Sequence, residues 1–373
     1  MATFRIALTG DFLNEDGIPA CGDAGLSLFQ KVPFITYRFL REQSPVRGDT
    51  LYWSRFYSLE VTPAHIQDVD GLVVLRPWVR QSAFARGAGD LVVIGRSGAG
   101  YDKIDLDACT ANDVAVFNAP DALDHSTASS ALMFMLALAK KLLPQQRITR
   151  QARWDLQAAV LGDEVQGRTL GIVGLGRSGR ELARLVAPFA MRILAYSPHA
   201  DRPLAAKLDV RLCPLAELLR ESDFVSLHSR LTDQSRRMIG AGELAMMKPT
   251  AYLINVARGE LVDESALITV LQSRRIAGAA LDVFETEPLP ADHQLTKLDN
   301  VILTPHWSCS TSDIWRATGR AMAVGMLRAA CGDPPENVIN QRVLCRSVFQ
   351  KKLARFRENR AHSISFQGRT CLG

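Results

Sequence analysis

Nothing constrains this chain more than Gly174-Leu-Gly176-Arg-Ser-Gly179 and the residues around it. A short apolar run, Leu170–Val173, precedes the glycines and reads as a buried strand. After them Leu182, Leu185 and Val186 fall at helical spacing, and a second apolar run follows at Ile193–Tyr196. Strand, glycine turn, helix, strand is the setting that a dinucleotide-binding fingerprint requires. Gly174 permits the tight turn, Gly176 lets backbone approach a pyrophosphate, and Gly179 allows helix and strand to pack closely. The amides of Arg177 and Ser178, at the helix N-terminus, are then placed to receive phosphate charge. A glycine turn that serves only the chain is the alternative reading of the bare motif. The acidic residue expected to grip the adenosine ribose is replaced by Ser197, with His199 and Arg202 just downstream. Serine can donate to a 2′-hydroxyl and does not repel a 2′-phosphate, so NAD and NADP both stay open.

A chain of 373 residues, 47% of them hydrophobic, can bury two substantial cores. The opening Met1–Gly10 lacks a long apolar segment and reads as a strand rather than a secretory signal. The most apolar stretch, Ala131–Ala139, falls well short of the ~20 residues needed to span a bilayer. No membrane association is expected. Seven scattered cysteines with no Cys-x-x-Cys pair suggest neither a disulfide framework nor a metal site, and a reducing cytoplasm fits them. The net charge of +5 is uneven: residues 346–373 carry +6, which leaves −1 for the rest. The body therefore lacks the basic surface of a nucleic-acid binder, and the basic end reads as a solvated helix and tail.

Along the chain, Arg5–Thr9 reads as a strand, and the elements between residues 11 and 63 cannot be placed. Apolar, β-branched runs then recur at Asp70–Arg76, Leu91–Gly95 and Val114–Phe117, with a helix at Ile104–Thr110. A single long helix is expected over Ser126–Arg147. Past Ser197 the pattern alternates helix and strand, with strands at Asp223–Leu227, Ala251–Val256, Ala277–Phe284 and Val301–Thr304. A closing helix spans Ser312–Cys331. This alternation predicts an α/β protein built on doubly wound parallel sheets, with ligands at the carboxyl ends of the strands. Arg258, Asp282 and His306 stand at such ends.

Taken together, five segments resemble the D-isomer-specific 2-hydroxyacid dehydrogenases. They are Ser97-Gly-Ala-Gly-Tyr-Asp102, the fingerprint, Asn255-Val-Ala-Arg-Gly-Glu-Leu-Val-Asp263, Leu281-Asp-Val-Phe-Glu-Thr-Glu-Pro288 and Asn300-Val-Ile-Leu-Thr-Pro-His306. The resemblance covers residues 70–340. It implies a Rossmann-type dinucleotide domain at 123–306 and a second, flavodoxin-like substrate domain at 1–122 completed by 307–345, with 346–373 as a basic tail. It also implies an NAD(P)-dependent oxidoreductase that interconverts a 2-oxo acid and a D-2-hydroxy acid, acts in the cytoplasm and forms a homodimer.

The resemblance assigns Arg258, Glu287 and His306 as the catalytic set, with Glu287 29 residues after Arg258 and His306 19 further on. An arginine forks onto a carboxylate and polarises the neighbouring carbonyl. A histidine passes a proton to and from the carbonyl oxygen, and a carboxylate on its far nitrogen fixes the tautomer. Cofactor contacts are implied for the fingerprint glycines, Arg177, Ser178, Ser197, Val256, Ala257, Arg258, His306 and Asp282, and for Thr127 in the interdomain helix. The backbone of Ser97, Gly98, Ala99 and Gly100 is implied to receive the substrate carboxylate together with Arg258, while Arg76 is set to meet an acidic tail. Taken singly, Arg258, Glu287 and His306 could be an ion pair, a turn charge and a strand-end histidine; Asp282 could simply cap the next turn. Departures from the family pattern are Ser197, Thr127-Ala-Ser129 in place of a glutamate, Ser229-Arg230 over the cofactor, and Trp307-Ser-Cys-Ser after the histidine. A formate- or phosphite-type dehydrogenase and a dinucleotide-sensing corepressor share the same scaffold and stand as alternatives.

Overall fold

The computed structural model describes residues 1–361 and divides them into two compact units, 1–123 with the chain beyond 310, and 124–310. Each is built on its own parallel sheet.

The first unit has strands β1 (Phe4–Thr9), β2 (Ile35–Leu40), β3 (Gly71–Val74), β4 (Val93–Arg96) and β5 (Ala115–Asn118), ordered β2-β1-β3-β4-β5. This is the flavodoxin-like order, with the switch point between β1 and β3. β3, β4 and β5 are covered on both faces and are legible as apolar runs, as buried parallel strands must be. β2 lies at the sheet edge and alternates buried with open positions, so no apolar run marked it. The helix Ser312–Ala330 packs Met322, Ala323, Met326 and Ala329 into this core.

The segment 346–361 corrects the expectation of a solvated tail, as far as it is described. Its helix Ser347–Ala354 and the following turn bury Phe349, Leu353 and Phe356, and Phe356 meets Phe4 edge to face at 4.9 Å. Arg355 pairs with Asp70 and Asp90, which also hold Arg5. Arg346 pairs likewise with Asp113 and Arg360 with Asp333, so these three arginines are partners of acids elsewhere in the unit rather than a free charge run. Residues 362–373, including Arg369 and Cys371, lie outside the described residues.

The second unit has β6 (Thr169–Val173), β7 (Arg192–Tyr196), β8 (Val210–Leu212), β9 (Phe224–Leu227), β10 (Tyr252–Asn255), β11 (Gly278–Leu281) and β12 (Val301–Leu303). Their order is β12-β11-β10-β9-β6-β7-β8, all pairs parallel, and the order reverses between β6 and β9. That is the Rossmann arrangement and its switch point. Val173 stands beside both Tyr196 and Leu227, so Gly174, Ser197 and His228 leave the sheet at one level. Asn255, Leu281 and Leu303 are likewise aligned, which brings the loops bearing Arg258, Asp282 and His306 out together.

The long interdomain helix is two helices, Asp124–Ala139 and Leu142–Arg150, separated by Lys141 in the left-handed region at φ +53°. Two features stop the first one. Asp163 N donates to Ala139 O at 2.8 Å, taking a carbonyl that a continuing helix would use. Pro144 lacks the N–H that would bond residue 140, and is tolerated only because it falls in the first turn of the second helix. No single helix among the described residues is long and apolar enough to cross a membrane.

Candidate active site

The fingerprint turn has three glycines with three different physical reasons. Gly174 adopts φ +99°, and a Cβ there would lie 2.6 Å from Ser229 N and 2.8 Å from the His228 carbonyl carbon. A Cβ on Gly179 would sit 2.3 Å from Gly174 O, so this glycine lets the helix Arg177–Val186 close onto the turn. A Cβ on Gly176 meets nothing within 4 Å: there the glycine keeps open the space over the helix N-terminus, and Gly176 is exposed. A glycine demanded by no protein neighbour, beside the unsatisfied first amides of a helix, suits a diphosphate approaching the backbone. The residues present fit a dinucleotide. Arg177 points its guanidinium to Asp124, and Ser178 Oγ lies 3.1 Å from Nδ1 of the half-buried His228.

At the ribose end Ser197 follows β7 half-buried and accepts a backbone hydrogen bond from Ala200 N. The nearest following acid, Asp201, caps the helix Arg202–Lys207 by accepting from Leu204 N at 3.1 Å. His199 and Arg202 are exposed.

The second unit brings Arg258, Glu287 and His306 together. Glu287 Oε2 lies 2.8 Å from His306 Nδ1, and its Oε1 accepts from Phe284 N. Burial raises the Glu287 carboxyl, but the His306 hydrogen bond and charge, the Phe284 amide and the Arg258 guanidinium outweigh it. The net shift is downward, so Glu287 is a carboxylate wherever a histidine titrates. Arg258 donates from a terminal guanidinium nitrogen to Ala257 O, and its own carbonyl accepts from Asn255 Nδ2 at 2.8 Å. Asn255 Oδ1 accepts from Ala257 N, so one side chain staples the Val256–Arg258 turn.

Two supports of this set were not visible in the sequence. The first is Gly259. A Cβ on it would lie 1.9 Å from the Phe284 carbonyl carbon and 2.5 Å from Glu285 N. Only glycine lets the turn after Arg258 press against the segment that leads to Glu287. The second is the use made of Asp282. Its Oδ1 accepts from Thr304 Oγ1 at 2.5 Å and from the amides of Trp307 and Ser308 at 3.0 Å each. His306, between them, is held at φ +52°, a conformation a non-glycine residue adopts only when its surroundings insist. Asp282 thus builds the histidine loop. Ser126 and Ser130, from the helix Asp124–Ala139, reach the same loop through the carbonyls of Cys309 and Ser308, and Thr127 bonds the Cys309 thiol.

In the first unit, Ser97–Gly100 follows β4. Gly98 adopts φ +145°, and a Cβ there would collide with the Arg96 guanidinium, which donates to Ser97 O. The carbonyls of Gly98 and Ala99 are taken by Ala119 N and Asn118 Nδ2. The N–H groups of Gly98, Ala99 and Gly100 donate to no group among the described residues. Successive unsatisfied amides of this kind make an anion-binding concavity. Arg76 already has partners: its amide and guanidinium meet Asp11 Oδ2 at 3.0 and 3.5 Å, and it stacks over Phe56 at 4.4 Å. Asp11 is fully buried. Burial pushes its carboxyl up, against the opposing pull of Arg76, Thr9 and Arg96. Arg80 pairs with Glu60 and lies over Trp78. Among the described residues no group of acidic, histidine or cysteine side chains is arranged to hold a metal ion.

The NAD-binding-domain model of the D-isomer specific 2-hydroxyacid dehydrogenases matches residues 132–308. A glyoxylate reductase of Korarchaeum cryptofilum is 38% identical over 290 residues, covering 77% of this chain and 87% of that protein. A D-3-phosphoglycerate dehydrogenase of Methanocaldococcus jannaschii is 39% identical over 276 residues, covering 74% of this chain and 52% of its own length. Among solved structures, a Thermus thermophilus protein superposes with a TM-score of 0.76 at 27% identity, over 90% of this chain and all of that one.

The Gly259 packing is open to a direct check. Gly259→Ala must push Arg258 away from the Glu287 segment, and a displacement near 1 Å costs on the order of 10² in rate. We expect kcat to fall by about that factor, while dinucleotide affinity, measured by fluorescence titration, changes little. An unaltered kcat would show that the close approach has no bearing on Arg258.

Proposed function

This chain belongs to the D-isomer-specific 2-hydroxyacid dehydrogenase family, and from that premise we propose that its turnover runs through Arg258, Glu287 and His306. It is an NAD(P)-dependent oxidoreductase that interconverts a 2-oxo acid and a D-2-hydroxy acid. The observation that carries the residue assignment is the 2.8 Å pairing of His306 Nδ1 with Glu287 Oε2. It turns Nε2 away from the carboxylate and makes it the nitrogen that exchanges a proton.

The dinucleotide, when bound, supplies or accepts the hydride at the carbon bearing the oxygen. His306 Nε2 gives a proton to the carbonyl oxygen in reduction and takes one from the hydroxyl in oxidation. Glu287 holds the ring and stabilises its protonated form. Arg258 forks onto the substrate carboxylate and polarises the adjacent carbonyl. In the first unit by itself, the unsatisfied amides of Gly98, Ala99 and Gly100, with Ser97 beside them, suit an anionic group such as a carboxylate. The names of the relatives support a small 2-oxo acid, with glyoxylate the first to assay. Arg76 is the first unit's candidate for an acidic group on a larger substrate, and its guanidinium already lies 3.5 Å from Asp11 Oδ2. Val256, Ala257 and Thr127 flank the dinucleotide. Scattered free cysteines favour a cytoplasmic setting.

The mechanism fixes the sign of the pH dependence. Reduction needs the imidazolium, so its rate falls as pH rises; oxidation needs the neutral ring, so its rate rises with pH. Glu287→Gln removes the charge that favours the imidazolium, and both limbs are expected to move to lower pH. His306→Ala is expected to lower kcat on the order of 10²–10⁴, with the dinucleotide still bound. Paired pH–rate profiles decide; near-normal turnover by His306→Ala would mean that another group is the acid.

Cofactor preference follows from Ser197. Without a carboxylate there to repel a 2′-phosphate, NADH and NADPH are expected to be used with similar kcat/KM. Ser197→Asp is expected to shift preference toward NADH. A strong NADH preference that the substitution leaves unchanged would contradict this account.

We also propose a two-fold homodimer formed through residues 142–161. The helices Leu142–Arg150 and Trp154–Ala159 bury no residue at all, while Trp154 and Leu161 are 64% and 76% exposed. Val160 and Leu156 lie beside them. An apolar surface carried by elements with nothing to pack on is suited to an isologous partner. Light scattering at micromolar protein is expected to give twice the monomer mass, and Trp154→Glu to reduce it to one. A monomer before any substitution would rule the interface out.

A further inference from the structure

His228 is a half-buried histidine that the hydride-transfer reaction does not use. It follows β9 at the switch point of the sheet, and its backbone N donates to Val173 O at 2.7 Å, at the point where the fingerprint turn begins. Desolvation takes the imidazole down to about 4, so it is neutral at any working pH. Its two ring nitrogens have one partner each: Nδ1 faces Ser178 Oγ at 3.1 Å, and Nε2 faces Ser226 Oγ at 2.9 Å.

A neutral imidazole has one N–H and one lone pair, so the chain of three groups must have a direction. Ser226 sets it. This hydroxyl is wholly buried in β9, and His228 is its sole hydrogen-bond partner among the described residues. Leaving its proton unmet would cost about 1–3 kcal/mol, so Ser226 donates to Nε2. The ring proton is then on Nδ1 and is donated to Ser178 Oγ. Ser178, half-exposed in the first turn of the helix Arg177–Val186, keeps its own proton for an acceptor outside the protein. Beside it is the space that Gly176 holds open.

We infer that Ser226, His228 and Ser178 form an oriented hydroxyl relay whose last member donates a hydrogen bond to the diphosphate of the bound dinucleotide. The relay rests on the dinucleotide reading of the fingerprint and adds a side-chain donor to the backbone amides there. Ser178 is the binding residue; His228 and Ser226 are positioning residues that act through it. A charge-assisted bond of this kind, aligned in advance, contributes most where the ligand carries diphosphate and nothing where it does not.

The test is isothermal titration of the full chain with ADP-ribose, which carries the diphosphate, and with adenosine, which lacks it. Ser178→Ala is expected to weaken ADP-ribose roughly tenfold and leave adenosine unchanged. Ser178→Thr, which keeps the hydroxyl, is expected to restore most of the affinity. Ser226→Ala, checked by thermal unfolding to be folded, is expected to weaken ADP-ribose to a smaller extent, because nothing then selects which ring nitrogen carries the proton. ADP-ribose affinity within twofold of the original in Ser178→Ala overturns the relay, as does an equal loss for adenosine, which would mean a loosened turn. Failure of the unsubstituted protein to bind ADP-ribose is a separate result: it would remove the dinucleotide assignment itself.

Discussion

One carboxylate oxygen, Asp282 Oδ1, accepts hydrogen bonds from Thr304 Oγ1 and from the amides of Trp307 and Ser308, and thereby bends the chain around His306. Without it, the left-handed backbone of His306 would have no counterweight, since a β-carbon in that region clashes with the following carbonyl. The ring would then lose the fixed approach to Glu287 that defines which nitrogen is turned outward. Asp282 in turn is placed by register, because Leu281 stands between Asn255 and Leu303 in adjacent parallel strands. The geometry of the Arg258, Glu287 and His306 set is a property of strand alignment relayed through one buried acid.

The same economy recurs at the switch point. β6 and β9 are neighbours only because the strand order reverses there, and this adjacency puts His228 and Ser229 against Gly174. The glycine turn is shaped from below by a loop more than fifty residues away, not by its own glycines alone. A glycine motif that matched in sequence but lacked this floor would have the amides without the means to hold them.

How much of this could be read from the residues depended on whether the cause was local. Buried parallel strands declare themselves as apolar runs, so β3, β4, β6 and β9–β11 were legible, as were the strand-end residues Arg258, Asp282 and His306. β2, with open positions along an exposed edge, and the three-residue β8 carry no such signal. The break at Lys141 was half-legible: Pro144 announces it, but the bond from Asp163 to Ala139 joins segments more than twenty residues apart. Asp11 beneath Arg76, Arg96 against Gly98 and Gly259 against Phe284 are tertiary facts with no periodicity to reveal them. The basic end misled for a related reason. Its charge was counted correctly, but Asp70 and Asp90, which meet Arg355, lie on other strands' ends, and the burial of Phe349 and Phe356 needed Phe4.

That last pairing bears on how the chain is made. The second unit is one continuous stretch, 124–310, and holds all the parts of its core as soon as that stretch has been synthesised. The first unit begins at the N-terminus yet waits for Met322, Phe349 and Phe356 to complete the packing around Phe4, and for Asn359 to clasp both Ala2 and Ala330. Domains form during synthesis as their sequence emerges. Within this stretch of chain the earlier segment is therefore sealed after the later one, and the nascent first unit must keep a partly open apolar face for more than two hundred residues of elongation.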